Sequence, residues 1–443
     1  MPVLLTGQHL SLPLIEGMAP DNGTWRAADT LARGGKVGPM GCTTADDATL
    51  LWAAFPDGRR PDALASVALP HLVVACTCAG VRFPCRHILA LLLLDHTTPL
   101  PSADPPPWAA ARLETAQRAL RPAMAPTTDD ARRAAAIVGL EEMARWLGDQ
   151  LDRGLAVPAA ADRRPWLAAA DRLADAYAPG AARELRELAA LPGSGTDWPE
   201  RLLPRLGRLA LLAQAFCRLD ELPPGERGDV LAAAGLPRPG DDRISDRWLA
   251  LGRRQSVDGG QRTTRTWLRG RDSGRWALLE AFQSTRRLEG LCLPTGGRFA
   301  GELAYQPSAW PLAAQPVDGL RLELAPRDGA GETPAAGVDL GQDISAATAG
   351  YAAARAANPW LRLYPLLLGG VFAEPAPAGW RLRDRGGRLL PLPSRFGYGW
   401  QLLALAGDRP LTLFGEYDGA TLTPLSVRHD GQWRDLAPWK ALP

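Results

Sequence analysis

The chain has 443 residues, 46% of them hydrophobic, which is enough apolar surface for about three domains and too much for a chain disordered throughout. Fifty basic against 48 acidic residues leave a formal charge of +2, excluding a global field aimed at nucleic acid or an anionic membrane. The longest strongly apolar run, Ile88 to Leu94, falls far short of the roughly 20 residues that span a bilayer. Met1 to Leu14 lacks the basic start of a signal peptide, so a cytoplasmic protein is expected.

In chain order, Asp21 is placed to cap a helix running to about Arg33. β-like runs follow near 37–42, 49–55 and 72–78, with Asp57-Gly58 as a turn signal. Pro99, Pro101 and Pro105 to Pro107 read as a linker, because proline cannot continue a helix or a sheet interior. Trp108 to about Leu236 has helical periodicity with Pro or Gly punctuation; a bundle is expected, with a solenoid as the alternative. Residues 201–300 hold the charge excess, 18 basic against 11 acidic. Beyond Ile244 come short alternating runs near 262–268, 276–282, 299–305, 320–324, 380–383, 400–405, 411–417 and 421–428, broken by one helix at about 344–357. The expected class is α+β: a small β-sheet plus helix over 1–98, an all-α helical middle over 108–240 and a β-rich α+β domain over 241–443.

Six cysteines in so long a chain do not make a disulfide framework. Three of them lie in one short window, Cys76-Thr77-Cys78-Ala79-Gly80-Val81-Arg82-Phe83-Pro84-Cys85-Arg86-His87. Cys76 and Cys78, two apart on an extended strand, present both sulfurs on one face, and a helix starting near Cys85 brings Cys85 and His87 opposite them. Three thiolates and one imidazole suit a tetrahedral Zn²⁺. With all four positions filled by protein the site is structural, leaving no place for an activated water. Arg82 and Arg86 are placed to offset the net negative charge of the loaded cluster. Cys42, Cys217 and Cys292 read as isolated structural cysteines; His71 and His96 are alternative ligands.

Cys-x-Cys, a spacer, Cys-x-His and a following apolar helix resemble the SWIM zinc finger. Met18-Ala19-Pro20-Asp21, Arg82-Phe83-Pro84-Cys85-Arg86-His87 and the leucine run are similar to bacterial SWIM-domain proteins, over about residues 16–95. Ala79-Gly80 departs from the proline that commonly follows the second cysteine of the motif. The resemblance implies a DNA-binding or protein-interaction module, and partners of the MoxR-type AAA ATPase and von Willebrand A classes.

Residues 1–100 carry 7 basic and 8 acidic side chains, a poor surface for phosphates. The competing signal is the stretch 243–298, where 12 arginines face 5 acids and tryptophans interleave. Arg262, Arg265, Trp267, Arg269, Arg271 and Arg275 are its candidate DNA- or RNA-binding residues; the bland alternative is a β-hairpin with tryptophan in the core. No Gly-x4-Gly-Lys-Ser/Thr, His-Glu-x-x-His or nucleophile elbow occurs, so no enzyme activity is expected. The leading expectation is a zinc-binding adaptor that recruits protein partners.

Overall fold

The computed structural model of the chain describes residues 8–34, 36–45, 48–56, 61–111, 114, 130–154, 162–194, 198–258, 260–285, 288–326, 341–377 and 379–436. Its class is α+β.

The amino-terminal part opens with β1 (Gln8–His9), α1 (Leu12–Met18) and α2 (Asn22–Arg33). Asp21 caps α2 as its position suggests, its carboxylate accepting from Thr24 N at 2.7 Å. Four antiparallel strands follow, β2 (Met40–Ala45), β3 (Ala48–Phe55), β4 (Ala63–Leu69) and β5 (Val73–Cys76), then α3 (Arg86–Thr97). α3 packs on β3, β4 and β5 and is itself covered by α1 and α2. Every residue from His87 to Leu93 is therefore buried, the mark of a helix apolar all round. The proline-rich stretch after it does not hang free as a linker. It runs beside β2, where Cys42 N donates to Pro101 O and Ala103 N to Cys42 O. Proline is admissible there because an extended edge segment needs only some of its amides.

The middle is a bundle, α4 (Asp130–Arg153), α5 (Arg163–Asp175), α6 (Pro179–Leu188), α7 (Trp198–Cys217) and α8 (Pro224–Ala234). One shared core, including Leu140, Trp166, Leu185, Leu206 and Phe216, argues against stacked repeats.

Two further antiparallel sheets form the rest. The first comprises β6 (Asp242–Asp258), β7 (Gln261–Gly270), β8 (Trp276–Ser284), β10 (Arg298–Tyr305), β11 (Ala314–Pro316) and β12 (Arg321–Leu322), ordered β11-β10-β6-β7-β8 with β12 on β10. Two strands leave it: β9 (Leu288–Leu291) becomes the fifth strand of the amino-terminal sheet beside β5, and β13 (Ala325–Pro326) pairs with β1. After α9 (Ile344–Ala357), the second sheet comprises β14 (Tyr364–Ala376), β15 (Gly379–Arg383), β16 (Leu389–Pro391), β17 (Leu411–Tyr417), β18 (Leu422–His429) and β19 (Gln432–Asp435). Residues 400–405, expected as strand, instead form α10 (Gly399–Ala406). A short all-apolar run does not distinguish the two, and here it packs as a helix against β14.

β6 lies between two cores. Trp248 and Ala250 face the amino-terminal core, whereas Leu249 and Leu251 face that of the last sheet. At the bulge after Ala250, Gly252 is required: a Cβ there would stand 2.7 Å from the Phe414 ring. The division between residues 1–98 and 241–443 thus does not separate one core from another, whereas the bundle's core stands apart from both. Leu51, Val67 and Ile88 share a cluster with Trp248, Leu268 and Phe299.

Candidate metal centre

Cys76 is the last residue of β5, and Cys78 lies just past it. The ladder continues there through Thr77, whose amide donates to Leu64 O at 3.1 Å and whose hydroxyl accepts from Leu64 N at 2.9 Å. Cys85 is the N-cap of α3 and His87 is in its first turn. The metal-binding atoms of Cys76, Cys78, Cys85 and His87 all lie within 4.8 Å of one another, the only such group among the described residues. His87 Nδ1 is 3.8 Å from Cys76 Sγ and 4.0 Å from Cys85 Sγ. Ligands on a tetrahedral zinc stand about 3.7 Å apart, from metal–ligand bonds of ~2.3 Å to sulfur and ~2.0 Å to nitrogen, so the donor set fits. Cys76, Cys85 and His87 are buried, and Cys78 is half-buried.

Proton sharing among the sulfurs shows how tightly they are gathered. Hydrogen bonding to Cys78 and then Cys85, with burial, drives the Cys76 thiol far above its usual range. The same bonds from Cys76 and Cys85 pull Cys78 far down, helped by the Gly80 amide. A cation bound among these sulfurs would displace their protons. The α3 amino terminus adds positive potential beside Cys85.

Around the ligands, the Phe55 ring lies 5.3 Å from that of His87, and Arg86 Nε is 3.4 Å from His87 Nε2. Arg82 pairs with Asp21 at 2.9 Å, joining the ligand loop to the α2 cap. Gly80, at the departure from the usual proline, sits where a Cβ would be 3.4 Å from Cys78 Sγ and 3.7 Å from Leu288 Cδ1. His71 and His96 are elsewhere, their Nδ1 atoms against Leu320 O at 3.1 Å and Leu10 O at 3.0 Å.

The six arginine and tryptophan candidates do not form one surface. Arg262 is buried and donates to Val81 O at 2.6 Å. On the opposite face, Trp267 Nε1 donates to Glu416 Oε1 at 3.1 Å and Arg265 pairs with Glu416 at 3.1 Å. Arg269 lies over Trp276, and Arg275 over Tyr305 with Asp242 at 2.9 Å; Arg271 is exposed at the turn. Trp267 and Arg262 are buried, so neither the ring nor the guanidinium is exposed for a base to stack on or a phosphate to meet. What the sequence did not reveal is that Arg262 and Gln255 meet the ligand loop. No local pattern joins residues so far apart in the chain.

Among the described residues, no helix is long and apolar enough to cross a membrane. Residues 131–234, the bundle, match the SWIM-associated four-helix bundle domain. No curated protein and no solved structure matches the chain.

Proposed function

We propose that the chain binds one structural Zn²⁺ through Cys76, Cys78, Cys85 and His87, and works without catalysis as an adaptor that recruits protein partners. The observation that carries the zinc reading is the convergence of four ligand atoms, three of them thiols, within 4.8 Å. A SWIM-associated bundle in the same chain supports a SWIM-type identity for the motif. Zinc bound there cross-links the end of β5 to the start of α3 and supplies folding free energy directly.

The adaptor role rests on the closed ligand set and on the internal use of the arginine-rich stretch, where Arg262, Arg265 and Arg275 are committed to partners within the chain. The resemblance adds a MoxR-type AAA ATPase and von Willebrand A proteins as the partners to try. Elemental analysis of the purified chain is expected to give one zinc, and a chain without stoichiometric metal overturns the reading. Binding to a purified ATPase or von Willebrand A partner, abolished by Cys85→Ser, supports the adaptor. Salt-dependent capture of single- or double-stranded oligonucleotide would instead favour the nucleic-acid alternative.

A further inference from the structure

The ligand loop is held from a distant part of the chain. Gln255 Nε2 donates to Phe83 O at 2.9 Å across 172 residues of sequence, and Arg262 Nη2 donates to Val81 O at 2.6 Å across 181. The Arg262 guanidinium also lies over the Phe83 ring, 5.5 Å from its centroid. Both side chains come from the β6–β7 hairpin, on the face where Arg253 donates to Met18 O at 2.9 Å. Immediately after β8, β9 takes its place beside β5 with Leu288 opposite Cys76, and the Leu288 side chain lies against Gly80 within the loop. Three strands, β6, β7 and β9, thus grip the segment that carries the ligands.

An arginine 1% exposed is costly unless its acceptors are fixed in place. The acceptor here is a carbonyl of a short loop whose shape depends on ligands at both of its ends. A loaded cluster fixes both ends and carries a net charge of about −1, which favours a cation nearby. Without metal the loop loses the restraint at both of its ends and keeps its hydrogen bonds to the hairpin and the Arg82–Asp21 ion pair. Each partner therefore lowers the entropy cost of the other, and linkage makes the effect reciprocal.

We propose that metal binding and hairpin docking are a single coupled equilibrium, in which Arg262 and Gln255 are positioning residues for the metal loop and the bound ion clamps the β6–β7 tip and β9 onto the amino-terminal sheet. The inference rests on the zinc reading above. It makes the site a brace between the first hundred residues and the sheet that follows the bundle, beyond a local staple.

The test uses the full chain, loaded with Zn²⁺ or with Co²⁺ as a spectroscopic probe. Arg262→Met is expected to speed zinc transfer to a chromogenic chelator by about 10- to 100-fold, the scale of an outer-sphere partner, and to shift the Co²⁺ ligand-field bands. Gln255→Ala acts in the same direction, more weakly; Arg164→Met, on an exposed side chain of the bundle, leaves both unchanged. Hydrogen exchange in the wild-type chain is expected to quicken at 253–266 and 288–291 on metal removal, while 131–234 keeps its protection. If Arg262→Met fails to fold, that wild-type exchange comparison alone decides. Unaltered release and unaltered hairpin exchange with a metal-binding chain overturn the coupling but spare the zinc reading; a chain that takes up no metal overturns both.

Discussion

At the scale of single residues, the cluster of Cys76, Cys78, Cys85 and His87 was legible because such a donor set is written locally: donors two apart on a strand end, and a cysteine and histidine at a helix start. Replacing Cys85 by Ser should abolish stoichiometric zinc and lower affinity by at least about 100-fold, more than the loss of an outer-sphere partner. Chelator competition measures this, and retention of tight metal would refute it. A different residue-scale effect sits in the bundle at Glu184. Burial pushes this carboxyl up, but the Arg205 hydrogen bond and charge, joined by Arg362, outweigh burial and hold it below its ordinary 4.5. Its folded value lies below its unfolded one, so the ion pair contributes stability above the unfolded value, and that contribution is lost as pH falls through the folded value. Thermal stability should therefore fall below about pH 4.5, with a shallower acid dependence in Glu184→Gln. An equal acid slope in the two proteins would contradict the assignment.

At the scale of elements, α8 docks against the loop after β10 with almost no space between backbones. A Cβ on Gly228 would stand 2.0 Å from Pro307 O, and the neighbouring Asp229 accepts from Ser308 Oγ at 2.5 Å, Ala309 N at 2.9 Å and Asn358 Nδ2 at 2.7 Å. Gly228→Ala is therefore expected to cost about 1–3 kcal/mol by overpacking. The same exchange at Gly148, within α4, meets nothing within 4 Å and should gain about 0.5–1 kcal/mol from helix propensity. Denaturant midpoints of the two variants should move in opposite directions; parallel shifts would show that the close approach is not what requires glycine. The elements themselves were readable where period or cap was strong, as in α2 with Asp21 or α9 with Asp343, whose carboxylate accepts from Ala346 N at 2.7 Å. Residues 400–405 were misread because six apolar or amide-bearing residues carry no period, and packing on β14 decided their form. The stretch Pro99 to Pro107 was misread because proline announces the absence of regular structure, not the absence of docking.

At the scale of the whole molecule, sequence texture separates helices from strands but does not count cores. The bundle keeps its own, from Ala136 to Ala234, with Trp360 packed against it from outside. The first hundred residues do not. Their cluster is completed by Trp248, Leu268, Phe299, Leu303 and Tyr305, and their sheet is missing its edge strand without Leu288–Leu291. Apolar burial stabilises at roughly 25 cal/mol per Å², and one large aromatic side chain buries 150–250 Å². Losing Trp248, Phe299 and Tyr305 together therefore removes on the order of 10 kcal/mol, comparable to the whole stability of a domain. A fragment of residues 1–100 should accordingly remain molten even when it holds zinc, with poorly dispersed amide resonances and no cooperative thermal transition. Residues 128–238, covering the bundle with its private core, should unfold cooperatively when expressed alone. Adding residues 241–326 in trans to the 1–100 fragment should restore a cooperative transition, because that segment returns both the missing core face and β9. A 1–100 fragment that folds cooperatively by itself with zinc would mean that the ligand cluster, and not the shared core, is what closes this part of the molecule.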